Sequence, residues 1–202
     1  ETLRLSAEAK SVSTDKILAA AKIAGLQVEL TASNQRTPCG LPAPELRLRN
    51  GNVVRHTNAI LRQIANFTEC GLLGHSFAEE GQVDSWMEWA GLEVDHLILE
   101  GEAIDSVCDA LEAHLKMRTF LVGQRMTLAD ISLACSLRGQ IEKAVDDLRK
   151  KYPSTVRWLL TCVHHMGQQA PAKAAPAKAK APAEPKAKAE PKAKPEPKAK
   201  AE

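Results

Sequence analysis

The sequence predicts an α/β subdomain, then an all-α subdomain, then a segment that does not fold. Strand and hairpin patterns occur only before residue 67, and amphipathic helix patterns alone fill residues 75–167. The last 33 residues contain only Ala, Lys, Pro and Glu. Such a segment has no large apolar side chain to bury, so it cannot offset the entropy of ordering and is predicted to be disordered.

The N-terminal part alternates between strand and helix patterns. Thr2–Ser6 and Leu26–Leu30 alternate polar with apolar residues, as strands do. The stretch between them repeats apolar residues at helical spacing, with Ser13 or Thr14 as its predicted N-cap. Gly25 stands where helices commonly end. These features predict a β-α-β unit.

A hairpin and a second helix complete this subdomain. Prolines and a glycine exclude regular structure up to Pro44, and the dipeptide Asn50-Gly51 then separates two short strand patterns. Thr57 or Asn58 is the predicted cap of a helix that carries Ile60 on its apolar face. The order β-α-β-loop-β-β-α predicts a small α/β unit.

The helical part contains a strong helix-start signal at Thr127. The Thr127 hydroxyl is placed to accept from the backbone N–H of Asp130, and the carboxylate can reach back to the N–H of Thr127. Met126 and Ile131 have the spacing of a hydrophobic staple. The helix that follows is apolar almost all round, which predicts the central helix of this part. We interpret Thr127 and Asp130 as structural residues.

Charge divides along the same boundary as composition. The whole chain carries a formal charge of +2, while the terminal segment from residue 170 carries nine Lys and four Glu. The folded part is therefore mildly acidic. The terminal segment resembles a stiff, extended linker, with a weak and nonspecific tRNA contact as the alternative, because lysines without aromatic residues attract phosphate but do not read bases.

Several classes of protein are excluded by what the sequence does not contain. Its five cysteines are far apart and form no C-x-x-C pair, which argues against a disulfide framework or zinc site and for a reducing compartment. No window approaches the roughly 20 apolar residues of a membrane span. There is no glycine-rich phosphate loop, and His164-His165 lacks metal-ligand partners in the sequence. We expect no metal and no cofactor.

At this point the motifs resemble a known superfamily. The β-α-β unit, the hairpin leading into "HTNAILRQIA", the helical part and "TFLVGQRMTLADISL" together are similar to glutathione transferases. The resemblance implies a thioredoxin-like subdomain over residues 1–70, an all-helical subdomain over 75–167 and a linker over 168–202. It also implies a cis proline before the third strand, for which Pro44 is the candidate.

Within that superfamily the chain is most similar to domains attached to translation proteins. The run from "NAILRQIA" to "VRWL" resembles the N-terminal domain of eukaryotic cytosolic glutamyl-tRNA synthetases, including the glutamyl-prolyl form. Related domains occur in elongation factor 1 gamma and methionyl-tRNA synthetase. The resemblance implies a cytosolic, non-catalytic module that docks a glutamate-tRNA ligase into a multi-synthetase or scaffold complex. An elongation factor 1 gamma-like or free scaffold subunit is the alternative, and an active glutathione transferase is the alternative of another class.

The sequence lacks the residues on which glutathione transferases usually rely for catalysis. The family places a Tyr, Ser or Cys after the first strand and an acid-Ser pair before the "NAIL" helix. Here Ser6, Ser11 and Ser13 follow the strand without a neighbouring proline, and His56-Thr57 stands at the pair position. The sequence therefore predicts a vestigial glutathione pocket and no catalytic residue in this segment.

The resemblance also implies surfaces that pair with another transferase-like domain of a synthetase, scaffold or elongation factor. One surface combines the "NAIL" helix with the first long helix, and the other uses the end of the capping-box helix. Asp84, Glu88 and Asp95 are interpreted as a solvated acidic face. The candidate interface residues are Arg62, Gln63, Asn66, Trp86, Glu93 and Arg138.

Overall fold

A computed structural model of the chain describes residues 2–34, 36 and 43–167. The predicted linker over 168–202 and Cys39 lie outside the described residues. The order of elements follows the prediction, with strands and helices mixed up to residue 66 and, from there to residue 167, helices alone. The subdomain limits at residues 70 and 75 stay a prediction.

Four strands form one mixed sheet. They are β1 (Thr2–Ala7), β2 (Gln27–Ala32), β3 (Glu45–Arg47) and β4 (Val53–Arg55), in the spatial order β2-β1-β3-β4. β1 pairs in parallel with β2, whereas β3 is antiparallel to both β1 and β4. The parallel pair needs a crossover connection, and the antiparallel pair needs only the hairpin turn, where Gly51 has a φ of 84°.

Helix α1 (Val12–Ile23) supplies the crossover, and helix α2 (Thr57–Asn66) follows the hairpin. The predicted N-caps of both helices are wrong. Ser11, not Ser13 or Thr14, accepts the backbone N–H of Thr14, because the helix begins earlier than the apolar spacing suggested.

At α2 neither Thr57 nor Asn58 is the cap. The chain passes from β4 into the helix through His56, which occupies the N-cap position without a side-chain hydrogen bond. Its φ of 69° is unusual for a residue with a side chain. The single connecting residue therefore takes the conformation that the tight connection demands.

The helical part begins with one continuous helical run. Helix α3 (Phe77–Trp89) passes through a π-helical turn (Ala90–Val94) into α4 (Asp95–Glu100). It is followed by α5 (Asp105–Leu115), α6 (Leu128–Lys143), α7 (Val145–Lys151) and α8 (Pro153–Gly167). The short helix α7 was not predicted, since none of its residues is fully buried and it leaves no clear apolar stripe.

Helix α6 is the centre of the molecule. Ten of its sixteen residues are buried, and it packs against α1, α3 and α8. It extends to Lys143, and Ile141 in its last turn is still buried in the core. The sheet and the helical layer thus share one hydrophobic core that includes β1, α1 and α6.

The expectation of a cis proline is wrong for the described residues. Pro44 is buried directly before β3, as predicted, but no peptide bond in the described part of the chain is cis. The Ala43–Pro44 bond therefore has the trans geometry that most X-Pro bonds adopt.

Candidate functional site

The predicted capping box is present and is part of a larger buried centre. Asp130 is fully buried, and its carboxylate accepts the backbone N–H and the hydroxyl of Thr127 at 2.9 and 3.0 Å. The other carboxylate oxygen accepts the backbone N–H of Leu121 at 2.9 Å and the indole N–H of Trp158 at 2.8 Å. Burial raises the pKa of Asp130, and these four donors act against that rise. Asp130 therefore joins the start of α6, the preceding loop and α8.

A second polar centre joins the two subdomains. Lys16 of α1 is 1% exposed and its ammonium lies 2.6 Å from a carboxylate oxygen of Asp95 in α4. The other oxygen of Asp95 accepts the hydroxyl of Ser136 in α6 at 2.5 Å. The interpretation of Asp95 as part of a solvated acidic face is therefore wrong. Sequence reasoning missed this centre because Lys16 carries no sign of burial in its local pattern.

The positions that the resemblance assigns to a glutathione pocket carry little of the expected chemistry. His56 is exposed, Thr57 is half-buried at the first position of α2, and Ser6 lies within β1. Ser11 is occupied as the α1 cap, where its hydroxyl also lies 2.9 Å from that of Thr14. Residues 37–42, which come between β2 and β3, lie outside the described residues.

The structure joins the "NAIL" helix to the first long helix within the chain. Arg62 donates to Asp84 at 2.7 Å and to Glu88 at 3.2 Å, and Asn58 donates to the same Glu88 oxygen at 3.1 Å. Partial burial tends to lower the pKa of Arg62, but the hydrogen bonds to Asp84 and Glu88 and their negative charges outweigh it and raise that pKa. Arg62 is therefore ion-paired within the chain while its side chain remains 34% exposed, and Asp84 and Glu88 are ion-paired rather than only solvated. The role of Arg62 at an interface stays a prediction.

The remaining candidate residues of that predicted surface differ in how exposed they are. Gln63 is half-buried and Asn66 exposed. Trp86 is half-buried and packs edge-on against Trp89 and His114, with ring centroids 5.4 and 4.9 Å apart.

Glu93 is exposed and accepts the indole N–H of Trp89 at 2.8 Å. Arg138 is exposed on α6, where it pairs with Glu142 at 2.9 Å on the same helix. The availability of Glu93 and Arg138 to a partner stays a prediction.

No redox or metal centre appears in the part of the chain that the structure describes. Cys108 and Cys162 are buried and Cys70 is exposed, and all three are free thiols, as is Cys135. Burial raises the pKa of Cys108 to about 11 and that of Cys135 to about 12, so these thiols are poor nucleophiles at neutral pH. Within residues 2–34, 36 and 43–167, no cluster of His, Cys, Asp and Glu has the arrangement of a metal site.

Solved structures reproduce this architecture. Phanerochaete chrysosporium URE2P6 in apo form aligns with a TM-score of 0.68 at 19% identity, covering 82% of this chain and 93% of that one. A glutathione S-transferase of class Gtt2 from Vibrio parahaemolyticus aligns with a TM-score of 0.65 at 21% identity, covering 78% and 91%. The chain has the glutathione transferase fold.

The sequence of the helical part agrees with that fold. Residues 100–165 match the family described as glutathione S-transferase, C-terminal domain. The match contains α5 to α7 and most of α8, and so includes the Asp130 centre. Among the described helices of this transferase fold, none is both long and apolar enough to cross a membrane.

Sequence relatives are translation factors. Elongation factor 1-gamma of Trypanosoma cruzi is 35% identical over 188 residues, which cover 77% of this chain and 45% of that protein. Elongation factor 1-gamma of Artemia salina is 32% identical over 141 residues, covering 60% and 32%. The chain thus spans less than half the length of these curated relatives.

Proposed function

We propose that the chain is the transferase-like part of an elongation factor 1 gamma-like protein and acts as a cytosolic protein–protein interaction module in translation. The observation that carries this proposal is the 35% identity to an elongation factor 1-gamma over 77% of the chain. The transferase-like fold alone does not carry it, because one fold hosts many functions. Docking a glutamyl-tRNA synthetase is the second hypothesis, and these relatives favour the elongation factor over it.

The residues at the predicted vestigial pocket support a binding role rather than catalysis. A transferase must stabilise the glutathione thiolate, and an activated nucleophile needs a hydrogen-bonding group held beside it. Ser11 instead caps α1, and His56 replaces the acid that would hold the γ-glutamyl group. The proposal therefore assigns no catalytic residue to this segment.

The first test identifies the proteins that copurify with the natural protein from its own cells. The full-length natural protein is tagged at its chromosomal locus, purified gently and compared by quantitative mass spectrometry with a tag-only strain. We expect enrichment of translation elongation factors. Enrichment of aminoacyl-tRNA synthetases without elongation factors would favour the second hypothesis, and enrichment of neither would contradict the proposed function.

The second test is transferase activity. The purified chain is incubated with glutathione and a chlorodinitrobenzene-type acceptor, and a known transferase serves as the positive control. We expect a rate equal to that of the uncatalysed reaction. Clear turnover that disappears in Ser6→Ala, Ser11→Ala or Ser13→Ala would overturn the non-catalytic proposal, provided that each variant keeps the circular dichroism spectrum of the parent.

A further inference from the structure

A pocket lies on the helical part, where the end of α5 and the loop that leads to α6 meet α3. Its volume of about 610 Å³ is within the range of small-molecule sites. Gln82 is the contribution of α3, and the other lining residues lie between His114 and Gln124. Neither His56 nor Thr57 lines it, so it is separate from the predicted vestigial glutathione pocket.

Arg118 brings a positive charge to this pocket. Its side chain is exposed, and no Asp or Glu in the described part of the chain forms an ion pair with it. Arg138, by contrast, is paired with a carboxylate on its own helix. Glu79, whose carboxylate lies beside Gly123 in the pocket wall, is bonded elsewhere, since it accepts a backbone N–H from the loop before α3 at 2.7 Å. The charge of Arg118 is therefore available to a ligand.

The side chain of Arg118 is held in place by His114, four residues earlier. Nε2 of His114 lies 2.9 Å from the carbonyl oxygen of Leu121, which only accepts, so Nε2 carries a hydrogen. Nδ1 lies 3.1 Å from Nη1 of Arg118, and because that group only donates, Nδ1 accepts and the ring is neutral. Among the described residues, nothing accepts from Nε or Nη2 of Arg118. Those two nitrogens form the edge with which arginine binds a carboxylate through two hydrogen bonds.

The loop around Arg118 is fixed by hydrogen bonds from other elements. Arg157 of α8 donates to the carbonyl of Arg118 at 3.0 Å. The backbone N–H of Leu121 donates to Asp130 at 2.9 Å, while the carbonyl of the same residue is held by His114. A cation that is already positioned loses little entropy on binding, and this preorganisation favours affinity for a small ligand.

The other lining residues indicate what is attached to the anion. Met117 is 92% exposed and Phe120 is 8% exposed, and both give the pocket apolar surface. Gln82, Thr119 and Gln124 add amide and hydroxyl groups that can donate or accept. Apolar surface with a few polar groups is typical of a site for a small organic molecule.

We propose that this pocket binds a small organic carboxylate with an aromatic or aliphatic body. Among the described residues that line it, Arg118 is the one cation, because the bonds of His114 keep that ring neutral. One positive charge matches one carboxylate, whereas a phosphate monoester carries about −1.5 to −2 charges at pH 7 and would leave part of its charge uncompensated. The inference adds a small-molecule site to the interaction module proposed above and does not depend on which proteins copurify.

Phenylacetate is the probe for the carboxylate, and phenylacetamide is its uncharged match. The ¹⁵N-labelled full chain is titrated with each at low ionic strength, and the amide signals of residues 117–124 are followed, with sodium chloride at equal ionic strength as the blank. We expect phenylacetate to shift these signals with a Kd of about 1 mM, which suits a ligand of its size. Phenylacetamide and phenyl phosphate should bind at least about tenfold more weakly.

Variants separate the contributions of charge, geometry and apolar contact. Arg118→Met removes the cation, and we expect affinity for phenylacetate to fall by about tenfold or more. Arg118→Lys keeps the charge without the paired donors and should weaken binding by about threefold or more. Met117→Ser should weaken it by a similar factor, through lost apolar contact. Arg138→Met is the matched control, since Arg138 is an exposed arginine outside the pocket, and it should bind as the parent does.

Four results would overturn the inference, provided that each variant keeps the circular dichroism spectrum of the parent. Phenylacetate could shift no signal of residues 117–124 beyond the sodium chloride blank, or the amide could bind as tightly as the acid. Arg118→Met could bind as tightly as Arg138→Met. Tighter binding of phenyl phosphate than of phenylacetate would contradict the carboxylate. If elongation factors copurify while any of these results is obtained, the proposed function stands and only the pocket is wrong.

Discussion

At the scale of single residues, Asp130 shows how one buried carboxylate can organise several segments. Its two oxygens accept four hydrogen bonds, from the backbone and hydroxyl of Thr127, from the backbone of Leu121 and from the indole of Trp158. The capping-box pattern predicted the contact with Thr127 from sequence. The contacts with Leu121 and Trp158 were not predictable, because they depend on tertiary packing rather than on local spacing.

Asp130→Asn is expected to destabilise the fold substantially. The amide has one oxygen, so its NH₂ group must face two of the donors that the carboxylate accepts, and at least one buried N–H loses its partner. We expect the free energy of unfolding to fall by at least about 2 kcal/mol, measured by urea denaturation. Asp146→Asn, an exposed acid on α7, should change it by less than about 0.5 kcal/mol. Equal effects of the two variants would contradict a structural role of Asp130.

At the scale of elements, α8 begins with a cap supplied by another helix. Pro153 stands at its first position and lacks an N–H. The next two backbone N–H groups, of Ser154 and Thr155, donate to the Glu112 carboxylate of α5 at 3.1 and 2.9 Å. Sequence alone does not identify such a cap, because Glu112 is about 40 residues away from the groups it accepts.

Glu112→Gln is expected to lower stability in a pH-dependent way. Partial burial tends to raise the pKa of Glu112, but the hydrogen bonds from Thr155 and Ser154 outweigh it and hold the pKa below its usual value of 4.5. A lowered carboxylate pKa stabilises the fold above the unfolded-state pKa, and that stabilisation is lost as the pH falls through the folded-state pKa. The variant should therefore lose about 1 kcal/mol at pH 7, and its difference from the parent should shrink as the pH falls below 4.5 and through the lowered folded-state pKa.

The measurement is urea unfolding of parent and variant at a series of pH values from 7 down through the acid range below 4.5. Glu102→Gln is the matched control, since Glu102 is an exposed acid in the connection between α4 and α5. A difference between parent and Glu112→Gln that is constant with pH would contradict the role of the Glu112 charge. The control should show no difference at any of these pH values.

At the scale of the whole molecule, the contact between the two subdomains contains polar as well as apolar interactions. Lys16 of α1 reaches Asp95 of α4, whose side chain is 31% exposed and also binds Ser136 of α6. The sequence predicted both subdomains and their order from patterns of period two and period 3.6. The way the subdomains meet could not be predicted, because neither Lys16 nor Asp95 differs locally from an ordinary surface residue.

A double-mutant cycle measures the coupling energy between Lys16 and Asp95. Lys16→Met, Asp95→Asn and the double variant are unfolded in urea, and the coupling energy of the pair is expected to be at least about 1 kcal/mol. The cycle of Arg138→Met and Glu142→Gln is the control, because that pair is about half exposed on one helix and should couple by less than about 0.5 kcal/mol. Equal coupling in the two cycles would contradict a structural role for the Lys16–Asp95 pair.

The bond from Trp158 to Asp130 joins residues that are 28 positions apart, with the donor in the last described helix. During synthesis on the ribosome, a growing chain that has reached only α7 already contains the carboxylate and lacks the indole that pairs with it. Completion of the core therefore has to wait until α8 has emerged from the exit tunnel. Until then the unfinished helical layer leaves apolar surface open, and this is the interval in which a chaperone would be of most use to the nascent protein.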